Sequence, residues 1–357
     1  MTSELHHILN LARWAPSGDN TQPWRFEILS EQHLLVHGLD TRAHCVYDLD
    51  GHASQLAIGA LLENIRIAAS GQKMRVNITR RLDTSPTHLL FDVWLKSDVT
   101  VMQDPLLGHI ESRVVQRRAL SMRRLDTLQR QVLEDSLPTG YRLILYQDFS
   151  ERWRLARFMF DNAKIRLTIP EAYAVHKAVI EWGAQYSEDR IPGQAVGVDP
   201  VTARFMRWVM TSWARVDFFN TYLLGHLFPR LQLDLLPGLR CGAHFALCAP
   251  KPPESIDDYI AAGQVMQRFW LSVASMGWFV QPEMTPVIFA RYHRNKMIFS
   301  ENDRAVDRVG ALNQRLDRLL PTGLLASVFF MGRMGGGSAP RSRSTRKKLE
   351  DLLLAGD

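Results

Sequence analysis

The segment Ala15 to Trp24 reads Ala-Pro-Ser-Gly-Asp-Asn-Thr-Gln-Pro-Trp and packs small hydrogen-bonding groups between two stiff ends. Pro16 disfavours helical backbone at Ala15, so Ser17, Gly18, Asp19 and Asn20 form a turn, and Pro23 with Trp24 gives a rigid apolar exit. Backbone N–H groups and side-chain amides held in this way suit the edge of a planar heteroaromatic ligand. Two further strings carry positive charge. In Glu111–Arg118, Arg113 and Arg117 stand four apart with Gln116 between them, and if this stretch opens a helix they share a face and grip the oxygens of a phosphate. Arg343, Arg346 and Lys347 lie in the run from Arg341 to Lys348, which reads either as solvated tail charge or as a second grip on the same phosphate.

Apolar spacing predicts the elements that must position these groups. Leu5, Ile8, Leu9, Leu11 and Ala12 mark a helix that stops before Pro16, and a hairpin follows over 26–29 and 34–37. Residues 53–70 form a helix that is apolar around most of its circumference, hence buried, and Gly71 stops it. Strands are expected over 74–79 and 89–95, then, after Pro105, a helix over 123–137 capped around Asp126 and a strand over 141–146. The region 152–239 is helical and rich in aromatics, divided at 183–199 by Pro192 and three glycines. It is either a lid that sets substrate access or packing around a fused core. A strand over 243–248, a buried helix over 256–276 and a final strand over 324–330 complete the chain, with Gly335–Gly337 opening the basic tail. A buried helix, a glycine stop and a following strand occur at 53–79 and again at 256–290, where Gly59–Gly71 and Gly263–Gly277 are similar phrases, so an internal duplication is expected.

With 357 residues and 46% hydrophobic content the chain makes one large domain or two smaller ones around a substantial core. Three cysteines, Cys45, Cys241 and Cys248, with no Cys-x-x-Cys pair, favour a reduced compartment and no zinc site. The opening residues have no secretory pattern, and the apolar runs at 218–228 and 324–331 fall far short of the roughly 20 residues of a spanning helix. A cytoplasmic protein with no membrane partner is therefore expected. A net charge of +6 welcomes an anionic ligand, while basic residues without interleaved aromatics or a binding module argue against nucleic acid. His6–His7 and the pair His176 and Glu181 lack metal-ligand geometry, and His244 reads as a hydrogen-bonded core histidine. Asp40, Arg42, Asp48 and Asp50 read as an ion-pair loop, and the absence of a Gly-x-Gly-x-x-Gly string after any strand argues against a dinucleotide fold.

The opening loop, with Arg13, Pro16, Ser17, Asn20, Gln22, Pro23 and Trp24, resembles the Pro-Ser-x-x-Asn-x-Gln-Pro-Trp element of the nitroreductase superfamily, which lines a flavin mononucleotide (FMN) site. Glu111–Arg118 resembles that superfamily's Arg-x-Ser-x-Arg phosphate element. It departs from it by following the loop by about a hundred residues and by carrying Val115 at the serine position. The segment from Arg333 to Glu350 resembles the superfamily's closing stretch, where Arg346 matches the basic position beside Lys347, and Thr345 and Lys348 stand where proline is common. Carrying each element once, in separate halves, the chain resembles the duplicated Acg-like branch and the related molybdopterin-biosynthesis nitroreductases.

The resemblance implies an α+β, nitroreductase-like fold with an antiparallel-rich central sheet flanked by helices, duplicated internally as a pseudo-dimer. The first half would be residues 1–104. The second would be residues 105–357, with the helical insertion at 152–239 and the basic tail. It further implies FMN held by Arg13, Pro16, Ser17, Asn20, Gln22, Arg113, Gln116, Arg117, Arg346 and Lys347, with NAD(P)H as co-substrate and a small nitroaromatic or quinone-like acceptor. No catalytic side chain is required, because flavin N5 carries the hydride. The assembly would be a monomeric pseudo-dimer or a homodimer. Two alternatives stand beside this reading: a flavin-sequestering protein without turnover, and a partner module in cofactor biosynthesis that docks through its tail.

Overall fold

A computed structural model describes residues 3–354; the extreme ends of the two expected halves, residues 1–2 and 355–357, lie outside the described residues. Helix α1 (Ser3–Ala12) leads through the Pro-Ser loop into the hairpin β1 (Trp24–Ser30) and β2 (His33–Leu39). Helix α2 (His52–Gly71) and strands β3 (Met74–Arg80) and β4 (His88–Ser97) complete an antiparallel sheet of order β1-β2-β4-β3. Helix α3 (Thr127–Asp135) opens on a capping box at Asp126, and β5 (Arg142–Tyr146) follows. The helical region then comprises α4 (Phe149–Thr168), α5 (Pro170–Val179), three two-residue strands, β6 (Ile180–Glu181), β7 (Tyr186–Ser187) and β8 (Ile191–Pro192), and helices α6 (Pro200–Val209), α7 (Trp213–Tyr222), α8 (Leu227–Arg230) and α9 (Leu236–Leu239). The chain closes with β9 (Ala243–Cys248), α10 (Ile256–Ser275), β10 (Trp278–Pro282), α11 (Thr285–Arg294), α12 (Asp303–Leu319), β11 (Val328–Gly336) and β12 (Arg343–Ser344).

The second four-stranded sheet is antiparallel in the order β5-β9-β11-β10, which matches β1-β2-β4-β3 strand for strand, each sheet having its long helix between its second and third strands in sequence. Where β1 and β2 are joined by two residues, β5 and β9 are joined by the whole passage that carries α4 to α9. Helices α2 and α10 cross at Gly59 and Gly263. A Cβ on Gly59 would strike the Ile260 carbonyl oxygen, and one on Gly263 the Leu56 carbonyl oxygen. Glycine costs about 1 kcal/mol against alanine inside a helix; close backbone approach is what keeps it here. Around the crossing, Gln267 donates to Asn64 Oδ1 at 2.7 Å and Arg268 to Glu63 at 2.8 Å.

One core joins α1, α2, α10 and facing residues of both sheets, while a second joins α4, α5, α11 and α12 to the opposite face of the second sheet. The first sheet therefore shows alternating burial, as on β4, whereas all six residues of β9 are buried. Helix α2 is buried along Ser54–Ser70 except at Arg66, as its all-round apolar sequence requires.

Three expectations need correction. Residues 111–118 are not helical; after a turn at 111–112 the chain runs extended, and Val115 bridges Val280 of β10. Residues 325–327 form a 3-10 turn, and the last long strand runs from Val328 through Gly336, so Gly335 lies in the ladder rather than opening the tail. The ladder needs glycine: a Cβ on Gly332 would press on the Gln281 carbonyl and one on Gly335 on the Ser121 carbonyl. The tail is not loose charge either, since β12 pairs in parallel with β7 and the backbone of Leu352 and Leu354 bonds to Phe26 of β1. Helix α12 was not anticipated, although Ala305, Val309, Leu312 and Leu316 at helical spacing, behind an Asn302 cap, carry its signal.

Candidate functional site

The Pro-Ser loop, α2, α10, the second sheet, the extended segment 113–117, the helical passage and the tail meet around a cavity of about 430 Å³. On the N-terminal side the Pro-Ser loop supplies Pro16 to Asn20. Asp19, Asn20 and Gln22 all have positive φ, at 52°, 65° and 50°, a conformation that aspartate and asparagine tolerate better than most residues. Side-chain hydrogen bonds hold it. Ser17 Oγ accepts from the Gln22 backbone N–H at 3.0 Å, and the Gln22 amide donates to Glu188 O at 2.8 Å and accepts from Lys347 N–H at 3.0 Å. The Asn20 amide donates to Glu188 O at 3.0 Å and Thr345 O at 3.2 Å. These two amides thus tie the loop to the helical passage and to the tail. Of their polar atoms, Asn20 Oδ1 is left buried with no protein partner.

Six of the ten residues singled out in the sequence line the cavity: Pro16, Ser17, Asn20, Arg113, Arg117 and Arg346. Extended backbone does for Arg113 and Arg117 what a helix was expected to do, because residues i and i+4 also share a face at a period of two. Gln116 lies off that face and its amide donates to Ser338 O at 3.1 Å. Arg13, Gln22 and Lys347 stand behind the wall, with Arg13 donating to Lys347 O at 2.7 Å.

The arginines at this end have no carboxylate. Arg113, 4% exposed, donates to Trp14 O at 2.9 Å and lies 4.6 Å above the Trp270 ring, while its Nε has no partner. Arg346, 8% exposed, donates to Ala15 O at 2.9 and 3.1 Å and to Thr345 O at 2.7 Å. Arg343 donates to Glu111 O at 2.9 Å and also keeps a buried Nε unpartnered. Among the described residues none of the three forms an ion pair. Burial, then the neighbouring charges of Arg113, Arg343 and Arg13, hold Arg346 well below its ordinary pKa. Burial and then Arg343 push Arg113 down to about 9. Arg117 is pushed down to about 10 by burial, partly offset by Asp19.

Elsewhere in the lining Arg333 and Arg166 have carboxylate partners, although Arg333 Nε is itself left without a partner, and sequence reasoning missed most of this group. Arg333 meets Glu283 at 2.6 Å, Glu283 meets His244 Nδ1 at 2.9 Å, and His244 Nε2 bonds Gly238 O at 2.8 Å. Arg166 meets Asp234 at 2.7 Å, and Tyr47 Oη lies 3.0 Å from His176 Nε2. Burial opposes a charge on His244, but Glu283 outweighs it and raises the imidazole to about 10. Burial, reinforced by Arg166, lowers His176 to about 3, so it is neutral. His244 was read as a hydrogen-bonded core residue; its partner Glu283 lies too far along the chain for spacing to reveal. Leu56, Ala57, Met266, Trp270 and Phe330 provide apolar surface in the same lining. The arrangement can hold a long, partly aromatic ligand with an anionic end.

Residues 2–103 match the model of the Nitroreductase family, which supports assignment to the nitroreductase superfamily. The matched stretch contains the Pro-Ser loop and the whole first sheet. Uncharacterized protein MT3212 of Mycobacterium tuberculosis (strain CDC 1551 / Oshkosh) is 37% identical over 79 residues, 21% of this chain and 23% of the relative. Uncharacterized protein Rv3127 of Mycobacterium tuberculosis (strain ATCC 25618 / H37Rv) matches with the same identity and the same coverage. The match therefore spans less than a quarter of these curated relatives' length.

Proposed function

We propose, on the premise that residues 2–103 are the nitroreductase-family segment they match, that the protein is an FMN-dependent oxidoreductase passing hydride from NAD(P)H to a small nitroaromatic or quinone-like acceptor. The observation that carries this reading is the set Arg113, Arg343 and Arg346, two of them buried and Arg343 half-buried, which line one cavity with carbonyl partners but no carboxylate. Buried cations are costly unless paired, and the phosphate of FMN brings close to two negative charges and several acceptor oxygens.

The residues present fit the group. The cavity lies within the roughly 300–1,000 Å³ of cofactor sites, and Asn20 Oδ1, Gln281 Oε1 and Arg113 Nε are buried polar atoms with no protein partner. Arg113, Arg343 and Arg346 would hold the phosphate, Ser17 and Asn20 the polar ring edge, and Leu56, Met266, Trp270 and Phe330 the ring faces. When bound, FMN supplies two-electron hydride chemistry that no side chain offers. The chain's own part is to orient the ring and exclude water, and the helical passage, pinned at Glu188 by Asn20 and Gln22, serves as the lid.

The shared strand order of the two sheets supports a fused pseudo-dimer, divided near residue 104, with one intact flavin site. The same pinning also favours a storage reading, in which the site is sealed and flavin is held without turnover. Protein incubated with FMN and desalted should be yellow, and NADPH should bleach it anaerobically. Protein that stays colourless overturns the flavin reading; yellow protein that NAD(P)H leaves unbleached selects storage.

A further inference from the structure

We propose that the α6–α8 hairpin is an interfacial docking surface for an anionic lipid bilayer. Among the described residues its aromatic side chains form a connected cluster of exposed rings around the half-buried Phe219. The Phe205 and Trp208 rings both contact Phe219, at 5.1 and 5.6 Å between centroids, and Phe218 joins Phe219 at 5.7 Å and Tyr222 at 5.2 Å. Tyr222 is 72% exposed, Phe228 67%, Leu223 60% and Phe218 52%. Scattered apolar residues need no explanation on a protein surface, but a contiguous aromatic patch marks an interaction site.

Charge selects the occupant. Residues 200–228 hold three arginines, Arg204, Arg207 and Arg215, against one acid, Asp217, and all four side chains are exposed. A second copy seated on this patch through a two-fold axis would set arginines against arginines with little acid to answer them. An anionic headgroup layer meets both features at once: the rings enter the acyl boundary while the arginines stay at headgroup level. No helix of the described residues is long and apolar enough to cross a membrane, so the contact is one of lying on the bilayer. Val196 and Leu233, which flank these helices in sequence, both line the cavity. This surface does not rest on the flavin reading.

The test uses the full chain in a flotation assay with vesicles of phosphatidylcholine alone and of phosphatidylcholine mixed with phosphatidylglycerol. The protein should float with the anionic vesicles, its tryptophan emission should shift to the blue, and added salt should weaken the binding. Removing the charges with Arg204→Gln and Arg207→Gln should weaken binding about fivefold each. The exposed-site variant Phe218→Gln/Tyr222→Gln/Leu223→Gln should lose at least about tenfold while keeping the parent's melting temperature. No flotation with either vesicle would overturn the proposal, as would equal flotation with both. A sedimentation dimer that the triple variant dissolves would also overturn it, and would assign the patch to a second copy of the chain.

Discussion

Two groups of arginines line the cavity, and they differ in what answers them. Arg333 and Arg166 have Glu283 and Asp234, and Arg291 nearby grips Asp50 with two bonds of 2.6 and 3.0 Å. Arg113, Arg343 and Arg346 have backbone carbonyls alone. A carbonyl satisfies an N–H but carries no net charge, so only the first group is electrically complete within the chain. The first group reads as part of the folded framework. The second reads as half of a site whose other half is an anion.

If that contrast is right, removing Glu283 harms folding far more than removing Arg113. Glu283→Ala leaves the buried Arg333 charge without its carboxylate and removes what holds His244 charged, and should cost about 3–5 kcal/mol in urea unfolding. A loss under about 1 kcal/mol would break the comparison. The pH dependence sharpens it. Because Glu283 raises the folded-state pKa of His244 from 6.5 to about 10, the stability it brings is full below 6.5 and drains away as pH rises through about 10. The wild type should lose stability across that interval and Glu283→Ala should not.

On the unpaired side the larger effect should be on ligand. Arg113→Met should weaken FMN about tenfold to a hundredfold, the worth of one charged hydrogen bond, measured by quenching of flavin fluorescence. The ligand-free protein should lose less than with Glu283→Ala, because a buried unpaired charge goes with the side chain. The smallest effect is thermal: millimolar inorganic pyrophosphate should raise the melting temperature of the wild type by a few degrees and that of Arg113→Met by less. No rise in the wild type would remove the anion site.

The contrast also explains what could be read in the sequence. The Pro-Ser loop was legible because part of its chemistry is local: Ser17 and Gln22 act on backbone within a few residues and their spacing shows it. Arg113 and Arg117 were legible as a pair but not in their backbone, since the bridge from Val115 to Val280 that holds them extended depends on a strand far away. Helix α2 was plain from its all-round apolarity and α10 from its apolar side, yet their crossing at Gly59 and Gly263 emerges only when both are packed. Glu283, Asp234 and Arg333 carried no local signal, because each partner lies tens of residues away or more. Gln22 and Asn20 were read as ligand contacts, and much of their hydrogen bonding is spent on Glu188, Thr345 and Lys347.

The central claim is that one cavity wall is built for a phosphate. Equilibrium titration of the purified protein with FMN and with riboflavin, which differ by that group, tests it directly. FMN should bind at least about a hundredfold more tightly than riboflavin, and Arg113→Met should shrink the gap by about tenfold or more. Equal affinity for the two flavins, or binding of neither, would contradict it.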